Sequence, residues 1–251
     1  MIKAAIFDLD GTLFLGKTAI PGAAEKLEEL RSKRIKTIFL TNAATRSREN
    51  LLEKIRGMGL SAEIDEVYCS SYFLAKYIGE NHKGKAAYVV GEQGINDELE
   101  GHGVKVVDEN ADIVTVGLDR GFTYEKLAKA LKQLHDGAIL ICSNKDVTFP
   151  TETGFMPGAG SIVVAVEAAS GKEAISLGKP NTYALEQIKK DHGLENDEVI
   201  MVGDRLDTDI AFAKKCGIKS ALLLTGVSKK EDIKEIKPDY IFDSIAAFSL
   251  P

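Results

Sequence analysis

The sequence has no tryptophan, only three cysteines, and no apolar run near the length of a membrane-spanning helix. The cysteines, Cys69, Cys142 and Cys216, are odd in number and far apart, which excludes a disulfide framework and a zinc knuckle. A spanning helix needs about 20 apolar residues in a row, whereas runs such as Ala138–Cys142 have the length of strands. The sequence therefore predicts no association with a membrane.

Positive charge is also scarce relative to negative charge. The chain has 32 Lys and Arg against 38 Asp and Glu, a formal net charge of −6. Binding to a polyanion depends on an excess of positive charge, so we expect no nucleic-acid partner. The N-terminal segment reaches an acidic residue at Asp8, too early for a secretory signal peptide, and we expect a cytoplasmic protein. The six prolines and the 44% hydrophobic share exclude collagen-like and disordered classes.

What the sequence does contain is a series of short apolar runs, most of which end at a polar cluster. In chain order the main runs are Ala4–Phe7, Thr37–Leu40, Ala174–Leu177, Val199–Val202, Ala221–Leu224 and Tyr240–Phe242, of which the last two carry less polar chemistry at their ends. Such runs are typical of strands buried on both faces of a parallel sheet. Segments with helical periodicity, including Ala23–Arg34 and Asn181–His192, alternate with them. The alternation predicts an α/β fold with a doubly wound parallel sheet.

The stretch between the second and third of these runs has an alternation of its own. Ala86–Val90 has the pattern of a strand and Tyr124–His135 that of a helix. The stretch is long enough to fold as a separate small α/β domain. We therefore predict a discontinuous core of residues 1–83 and 176–251, with residues 84–175 inserted as a second domain.

Four of the runs are followed by residues that could form one site. These residues are Asp8 and Asp10, Thr41 and Asn42, Lys179, and Asp204 and Asp209. Ligand sites of open α/β sheets lie outside the carboxyl ends of the strands, so we expect the four clusters to meet at one edge. A single polar cluster after a strand is usually a solvated loop. Four clusters of complementary chemistry favour a shared site.

The carboxylates of this set suggest a metal ion. Asp8 and Asp10 stand two apart in the string D-L-D-G-T, and an extended chain directs both side chains to the same side. Close carboxylates repel unless a cation lies between them, and hard oxygen ligands suit Mg²⁺. We expect Asp204 to be a further ligand, with Asp209 behind it holding a metal-bound water or Lys179. Lys179 would offset negative charge, although Gly-Lys-Pro by itself is usually a solvated turn.

The other polar residues have weaker signals. Thr41 and Asn42 offer hydroxyl, amide and backbone N–H donors, which can bind an anion without net charge. Arg46 lies close by in sequence and is an optional further contact. Asp207 stands between the two other acids of its cluster, and the alternative interpretation is an acid at the start of a helix.

Together these motifs resemble the haloacid dehalogenase (HAD) superfamily of phosphatases, most closely its 4-nitrophenyl phosphatase/NagD-like branch. The resemblance covers nearly the whole chain and includes the inserted stretch, where the strings S-N-K-D at 143–146 and P-G-A-G at 157–160 are similar to that branch's cap. Ala43 stands where the branch often has a second Asn, and Ser143 where it commonly has Thr. The resemblance implies a HAD-like core with an α/β cap that selects the substrate.

The resemblance also implies a role for each motif residue. Asp8 would be the nucleophile that forms an aspartyl phosphate, and Asp10 the general acid and then base. Mg²⁺ would be held by Asp8, Asp204 and the backbone carbonyl of Asp10. The phosphoryl group would be bound by Thr41, Asn42 and Lys179.

The function so implied is Mg²⁺-dependent hydrolysis of small organic phosphate monoesters. Two alternatives remain: a phosphotransferase or phosphomutase that uses the same intermediate, and a phospho-accepting signalling domain. The sequence does not identify the phosphorylated metabolite that is the substrate. Asn144 and Asp146 are candidates for selecting it, or else are turn residues. The resemblance further suggests a homodimer formed through the cap.

Overall fold

The computed structural model describes residues 1–151 and 154–250. Over these residues the strands are β1 Ala4–Phe7, β2 Phe14–Leu15, β3 Thr18–Ala19, β4 Lys36–Thr41, β5 Val67–Cys69, β6 Ala86–Val90, β7 Lys105–Val106, β8 Ile113–Val116, β9 Ile139–Cys142, β10 Thr148–Thr151, β11 Gly154–Pro157, β12 Ile175–Ser176, β13 Val199–Gly203, β14 Lys219–Leu223 and β15 Tyr240–Phe242. The α-helices are α1 Ala23–Ser32, α2 Arg48–Gly57, α3 Ser70–Asn81, α4 Gln93–Gly101, α5 Tyr124–His135, α6 Ala159–Ser170, α7 Tyr183–His192 and α8 Ala211–Cys216.

The chain divides into two compact units. The first contains Met1–Thr41, Leu51–Tyr68 and Lys179–Pro251, and the second contains Asn42–Asn50 and Cys69–Gly178. The division places α3 in the second unit, whereas the sequence analysis assigned residues up to 83 to the core. The roles of catalytic core and cap stay predictions.

The first unit is built on a six-stranded sheet with the order β15-β14-β13-β1-β4-β5. The pairs from β15 through to β4 are parallel. Strands β1 and β13 are buried along their whole length, as expected for central strands that both faces cover. Helices such as α1, which buries Ala23, Leu27 and Leu30, cover the sheet with one apolar face.

The order of this sheet reverses at β1, which positions the site. Strand β1 lies between β4 and β13, with Phe7 paired to Phe39 on one side and to Val202 on the other. Because the three strands are parallel, the residues that follow them emerge at one edge of the sheet. A reversal of strand order opens the crevice in which open α/β sheets bind ligands.

The second unit has a five-stranded parallel sheet of its own, with the order β12-β9-β8-β6-β7. Strands β10 and β11 form a separate antiparallel hairpin. Side chains of the sheet, including Val116 and Leu140, form a core with Leu134 of α5 and Val163 of α6. Two parallel sheets with covering helices confirm the predicted α/β fold class.

The structure corrects the predicted origin of Lys179. The run Ala174–Leu177 was expected to be a strand of the same sheet as β1, but β12 is shorter and pairs with β9 in the second unit. A short apolar run indicates that a strand is buried but not which sheet it joins. The sequence therefore could not distinguish the sheet of β1 from the sheet of β9. Within the described residues no helix is both long and apolar enough to cross a bilayer.

Candidate active site

Lys179 lies between two carboxylates at the carboxyl edge of the first unit's sheet. Its Nζ donates to Asp8 Oδ1 and to Asp209 Oδ1, each at 2.6 Å, and to the carbonyl oxygen of Leu40 at 3.0 Å. These acceptors match the three N–H bonds of an ammonium group. The lysine is only 2% exposed. Although it does not come from this sheet, Lys179 therefore reaches the ends of β1 and β4.

The protonation of Lys179 is set by these neighbours. Burial acts to lower the pKa of the lysine, but the negative charges of Asp209 and Asp8 outweigh burial, and the pKa is raised. The ammonium form is thus retained at neutral pH. The buried ammonium group therefore offsets part of the negative charge of the two carboxylates that it contacts.

Asp204 follows β13 and is fully enclosed. Its Oδ2 accepts a hydrogen bond from the Val227 N–H at 2.7 Å. A Cβ atom at Gly226 would lie 2.0 Å from the same oxygen, and one at Gly11, where φ is +89°, would lie 2.5 Å from it. Both positions therefore need glycine for close approach, and Gly11 needs it for its backbone conformation as well. Within the described residues no donor lies within hydrogen-bond distance of the buried Oδ1.

Asp209 acts on its neighbours through both of its oxygens. Besides the bond from Lys179, its Oδ2 accepts from the N–H groups of Asp204 at 3.1 Å and Arg205 at 3.0 Å. Asp209 lies on a single π-helical turn, Leu206–Ile210, that follows β13. Since both oxygens are engaged, Asp209 is placed to orient Asp204 and Lys179.

Three carboxylates converge here, and their combined charge fits a cation. Atoms of Asp8, Asp204 and Asp209 lie within 4.8 Å of one another. Burial, followed by the charge of Asp209, raises the pKa of Asp204 to about 7. Burial also raises the pKa of Asp8, against the opposing charge of Lys179. The unpartnered Asp204 Oδ1 and this cost of ionisation fit a divalent cation with oxygen ligands, such as Mg²⁺.

The loop after β14 takes part in the site, which the sequence analysis missed. Val227 donates to Asp204, and the Ser228 N–H donates to the carbonyl of Asp204 at 3.0 Å. Thr225 Oγ1 donates to the carbonyl of Gly11 at 2.6 Å and so ties this loop to the one after β1. The sequence does contain a signal for this loop, the pair Thr225-Gly226 after the run Ala221–Leu224. The sequence analysis gave that run little weight because few polar side chains follow it.

Asp10 occupies a more open position than the other acids. Its side chain is 50% exposed, and Lys54 Nζ lies 3.7 Å from its Oδ1. Lys54 also stands 4.2 Å from the centre of the Phe14 ring. Partial desolvation raises the pKa of Asp10, and Lys54 opposes the rise. A carboxyl group that holds its proton to higher pH and has access to solvent suits general acid–base chemistry.

The remaining predicted residues are placed differently. Thr41 is buried at the end of β4. Asn42 forms hydrogen bonds with Ser70, Asn144 and Asp146 within the second unit. Arg46, in that unit, accepts a bond from Ser71 through its carbonyl oxygen. Asp207 is paired with Arg205 at the surface and is not one of the three clustered carboxylates.

Comparison with known proteins decides the family. A family model described as haloacid dehalogenase-like hydrolase matches residues 5–105, and a second, HAD-hydrolase-like, matches residues 176–248. The chain is 39% identical over 246 residues to the acid sugar phosphatase of Staphylococcus epidermidis, covering 97% of this chain and 95% of that protein. The chain belongs to the haloacid dehalogenase-like hydrolases.

Two further relatives agree with this assignment. The HAD hydrolase is 34% identical to the 5′-nucleotidase YutF of Bacillus subtilis, covering 97% of this chain and 96% of that one. The crystal structure of 4-nitrophenylphosphatase from Thermotoga maritima superimposes with a TM-score of 0.94 at 34% identity, covering 98% and 95% of the two chains. The predicted superfamily, branch and enzyme class, a hydrolase of phosphate monoesters, are confirmed. The roles of individual site residues stay predictions.

Proposed function

We propose that this chain hydrolyses small organic phosphate monoesters with Mg²⁺ and through a phosphorylated Asp8. The observation that supports the proposal is the buried group at the end of β1, where Asp8 contacts Lys179 and its carboxylate lies within 4.8 Å of that of Asp204. Phosphoryl transfer depends mainly on positioning and on neutralising charge, which this group provides.

In the first step a carboxylate oxygen of Asp8 attacks phosphorus. The new bond from Asp8 to phosphorus forms as the bond from phosphorus to the ester oxygen breaks. Asp10 gives its proton to the departing alcohol, and its raised pKa keeps that proton available. Thr41 and the N–H of Asn42 would bind phosphoryl oxygens, while Lys179 balances the charge on Asp8.

In the second step a water molecule frees the enzyme. The oxygen of the water attacks phosphorus, and the ionised carboxylate of Asp10 takes a proton from that water. The bond between phosphorus and Asp8 breaks, which releases inorganic phosphate and restores the carboxylate. Half-exposure of Asp10 lets water reach it, which the second step requires.

The residues that would hold Mg²⁺ are Asp8, Asp204 and the carbonyl oxygen of Asp10. When bound, the cation supplies charge that stabilises the phosphoryl oxygens in the transition state. Asp209 keeps Asp204 and Lys179 in place through its bonds to both.

The test is hydrolysis of 4-nitrophenyl phosphate by the purified protein, with Mg²⁺ or with EDTA. We expect activity only with Mg²⁺, and loss of turnover in Asp8→Asn. Asp207→Asn is the matched control, because it removes a nearby carboxylate that lies outside the cluster. After an acid quench, mass spectrometry should find a phosphoryl group on the peptide that contains Asp8. Undiminished turnover by Asp8→Asn would overturn its assignment.

The same assay separates hydrolysis from transfer. With an added alcohol as acceptor, a phosphatase releases inorganic phosphate, whereas a phosphotransferase forms a new ester. The names of two relatives suggest sugar phosphates and nucleoside 5′-monophosphates as substrate classes to compare by kcat/KM. A cytoplasmic location, a homodimer formed through the cap, and the absence of membrane and nucleic-acid partners belong to the proposal as well.

A further inference from the structure

Asn42 is held in place by side chains from distant parts of the second unit. Ser70 Oγ donates to the carbonyl oxygen of Asn42 at 2.5 Å, and Asn144 Nδ2 donates to the same oxygen at 2.7 Å. The side-chain amide of Asn42 donates to Asp146 Oδ2 at 2.9 Å. Both the main chain and the side chain of Asn42 are therefore fixed.

The segment that supplies two of these partners is itself held by hydrogen bonds and close backbone packing. Asn144 Oδ1 accepts from the N–H of Asp146 at 3.0 Å, and the Gly160 N–H donates to the carbonyl of Asp146 at 2.8 Å. A Cβ atom at Gly158 would lie 2.2 Å from that carbonyl oxygen. The glycines at the start of α6 thus let the backbone of this segment approach closely.

The residue before Lys179 packs against the same group. A Cβ atom at Gly178 would lie 2.6 Å from the carbonyl oxygen of Ser143, 2.7 Å from Asn144 Cβ and 2.8 Å from Asn42 Oδ1. In sequence, Asn42 directly follows Thr41 of the first unit, and Gly178 directly precedes Lys179 of the first unit. One packed group of the second unit therefore contains Asn42 and the residue that precedes Lys179 in sequence.

The chemistry of Asn144 and Asp146 does not favour direct contact with a substrate. Asn144 is 5% exposed, and its amide bonds to Asn42, Ser143 and Asp146. Asp146 carries a negative charge, which would repel a phosphate ester, and one of its oxygens already accepts from Asn42.

We propose that Asn144 and Asp146 are positioning residues that hold the Asn42 peptide in its phosphate-binding conformation. The inference rests on the proposed function, which assigns phosphoryl binding to Thr41 and Asn42. Because every substrate presents the same phosphoryl group, loosening this peptide should impair all esters alike. A residue that selects the leaving group would instead change the ranking of esters.

The test compares Asn144→Ala and Asp146→Ala with Lys145→Ala. Lys145 lies between the two residues in sequence, but its side chain pairs with Glu167 and makes it a matched control. The substrates are 4-nitrophenyl phosphate, a sugar phosphate and a nucleoside 5′-monophosphate, and inhibition by inorganic phosphate is measured in parallel. We expect kcat/KM to fall about 10- to 100-fold for all three esters by the same factor. Phosphate inhibition should weaken in step, and Lys145→Ala should match the wild type.

Two further variants separate positioning from a structural role. Asp146→Asn keeps an oxygen that can accept from Asn42, so it should recover much of the activity that Asp146→Ala loses. In an Asn42→Ala background, Asp146→Ala should cause little further loss, because its effect passes through Asn42. Thermal unfolding shows which variants fold, and comparisons of activity use those that do.

The results distinguish a failure of the proposed function from a failure of the positioning role. An inactive wild type counts against the proposed function. An active wild type whose folded Asn144 and Asp146 variants keep full activity overturns the positioning role alone. A changed ranking of the three esters overturns it in favour of substrate selection, and an unchanged phosphate inhibition constant overturns it as well.

Discussion

Replacing Lys179 with methionine removes the cation at the centre of the buried carboxylates and keeps most of the side-chain volume. The lost ammonium contacts Asp8 and Asp209 at 2.6 Å each, and both it and Asp209 are shielded from water. Removing one partner of a buried ion pair costs about 3–5 kcal/mol, because the other charge is left without compensation. For a chain of this size that corresponds to a fall in Tm of roughly 6–20 °C.

The effect of this substitution should depend on pH when no Mg²⁺ is bound. Burial raises the folded-state pKa of Asp8 and Asp204 above the ordinary value of 3.8, and Lys179 opposes the rise at both. Loss of the lysine therefore raises both pKa values further. Stability from a group with a raised pKa is fully present below the unfolded pKa and is lost as pH rises through the folded pKa. The gap between wild type and variant should thus be larger at pH 8 than at pH 5.

The measurement is thermal unfolding in EDTA at both pH values. Lys132→Met is the control, because Lys132 pairs with Asp136 at the exposed surface, where solvent screens the pair and its loss should change Tm little. Added Mg²⁺ should restore part of the lost Tm by neutralising the carboxylates. Equal Tm values for Lys179→Met and wild type at pH 8, or a larger gap at pH 5, would refute this account of the charge balance.

Three further predictions follow from single contacts. Asp204→Asn should raise the Mg²⁺ concentration for half-maximal activity at least 10-fold, measured by titration, since it removes a charged ligand. Gly226→Ala should reduce activity and Mg²⁺ response together, because its Cβ would lie 2.0 Å from Asp204 Oδ2; wild-type kinetics would contradict the close packing. Burial raises the pKa of Glu98 to about 7, so the wild type loses up to about 3 kcal/mol of stability between pH 4.5 and pH 8 from this group. Glu98→Gln should flatten that dependence in denaturant unfolding, and an unchanged slope would contradict it.

Local signals located most of the strands but not the sheets to which they belong. The bounds of β1, β6 and β15 match the predicted runs, because uninterrupted apolar residues mark a buried strand without reference to its neighbours. The run before Lys179 was assigned to the wrong sheet, since its partner β9 lies more than 30 positions away. Pairing over such distances leaves no mark in a single sequence.

The sequence also predicts only part of the candidate site. The sequence predicts that Asp8, Asp204 and Asp209 lie close together, because the carboxyl ends of parallel strands share an edge of the sheet. It does not predict the contact from Val227, since Val227 contributes a backbone N–H that any residue except proline provides. The bond from the Asn144 side-chain amide to the carbonyl oxygen of Asn42 spans 102 positions, and in the sequence Asn144 is also typical of a turn.

Glycines next to the clustered acids indicate where the backbone approaches a carboxylate closely. A Cβ atom at Gly203 would lie 2.2 Å from Asp209 Oδ2, and one at Gly226 would lie 2.0 Å from Asp204 Oδ2. Backbone N–H groups can then reach the carboxylates directly, which fixes carboxylate orientation without further side chains. The acids are thereby held close together at a cost that a cation must offset. A net charge of −6 therefore does not argue against an anionic substrate, because in the proposed mechanism the substrate meets the local charge of Lys179 and Mg²⁺ and not the net charge of the chain.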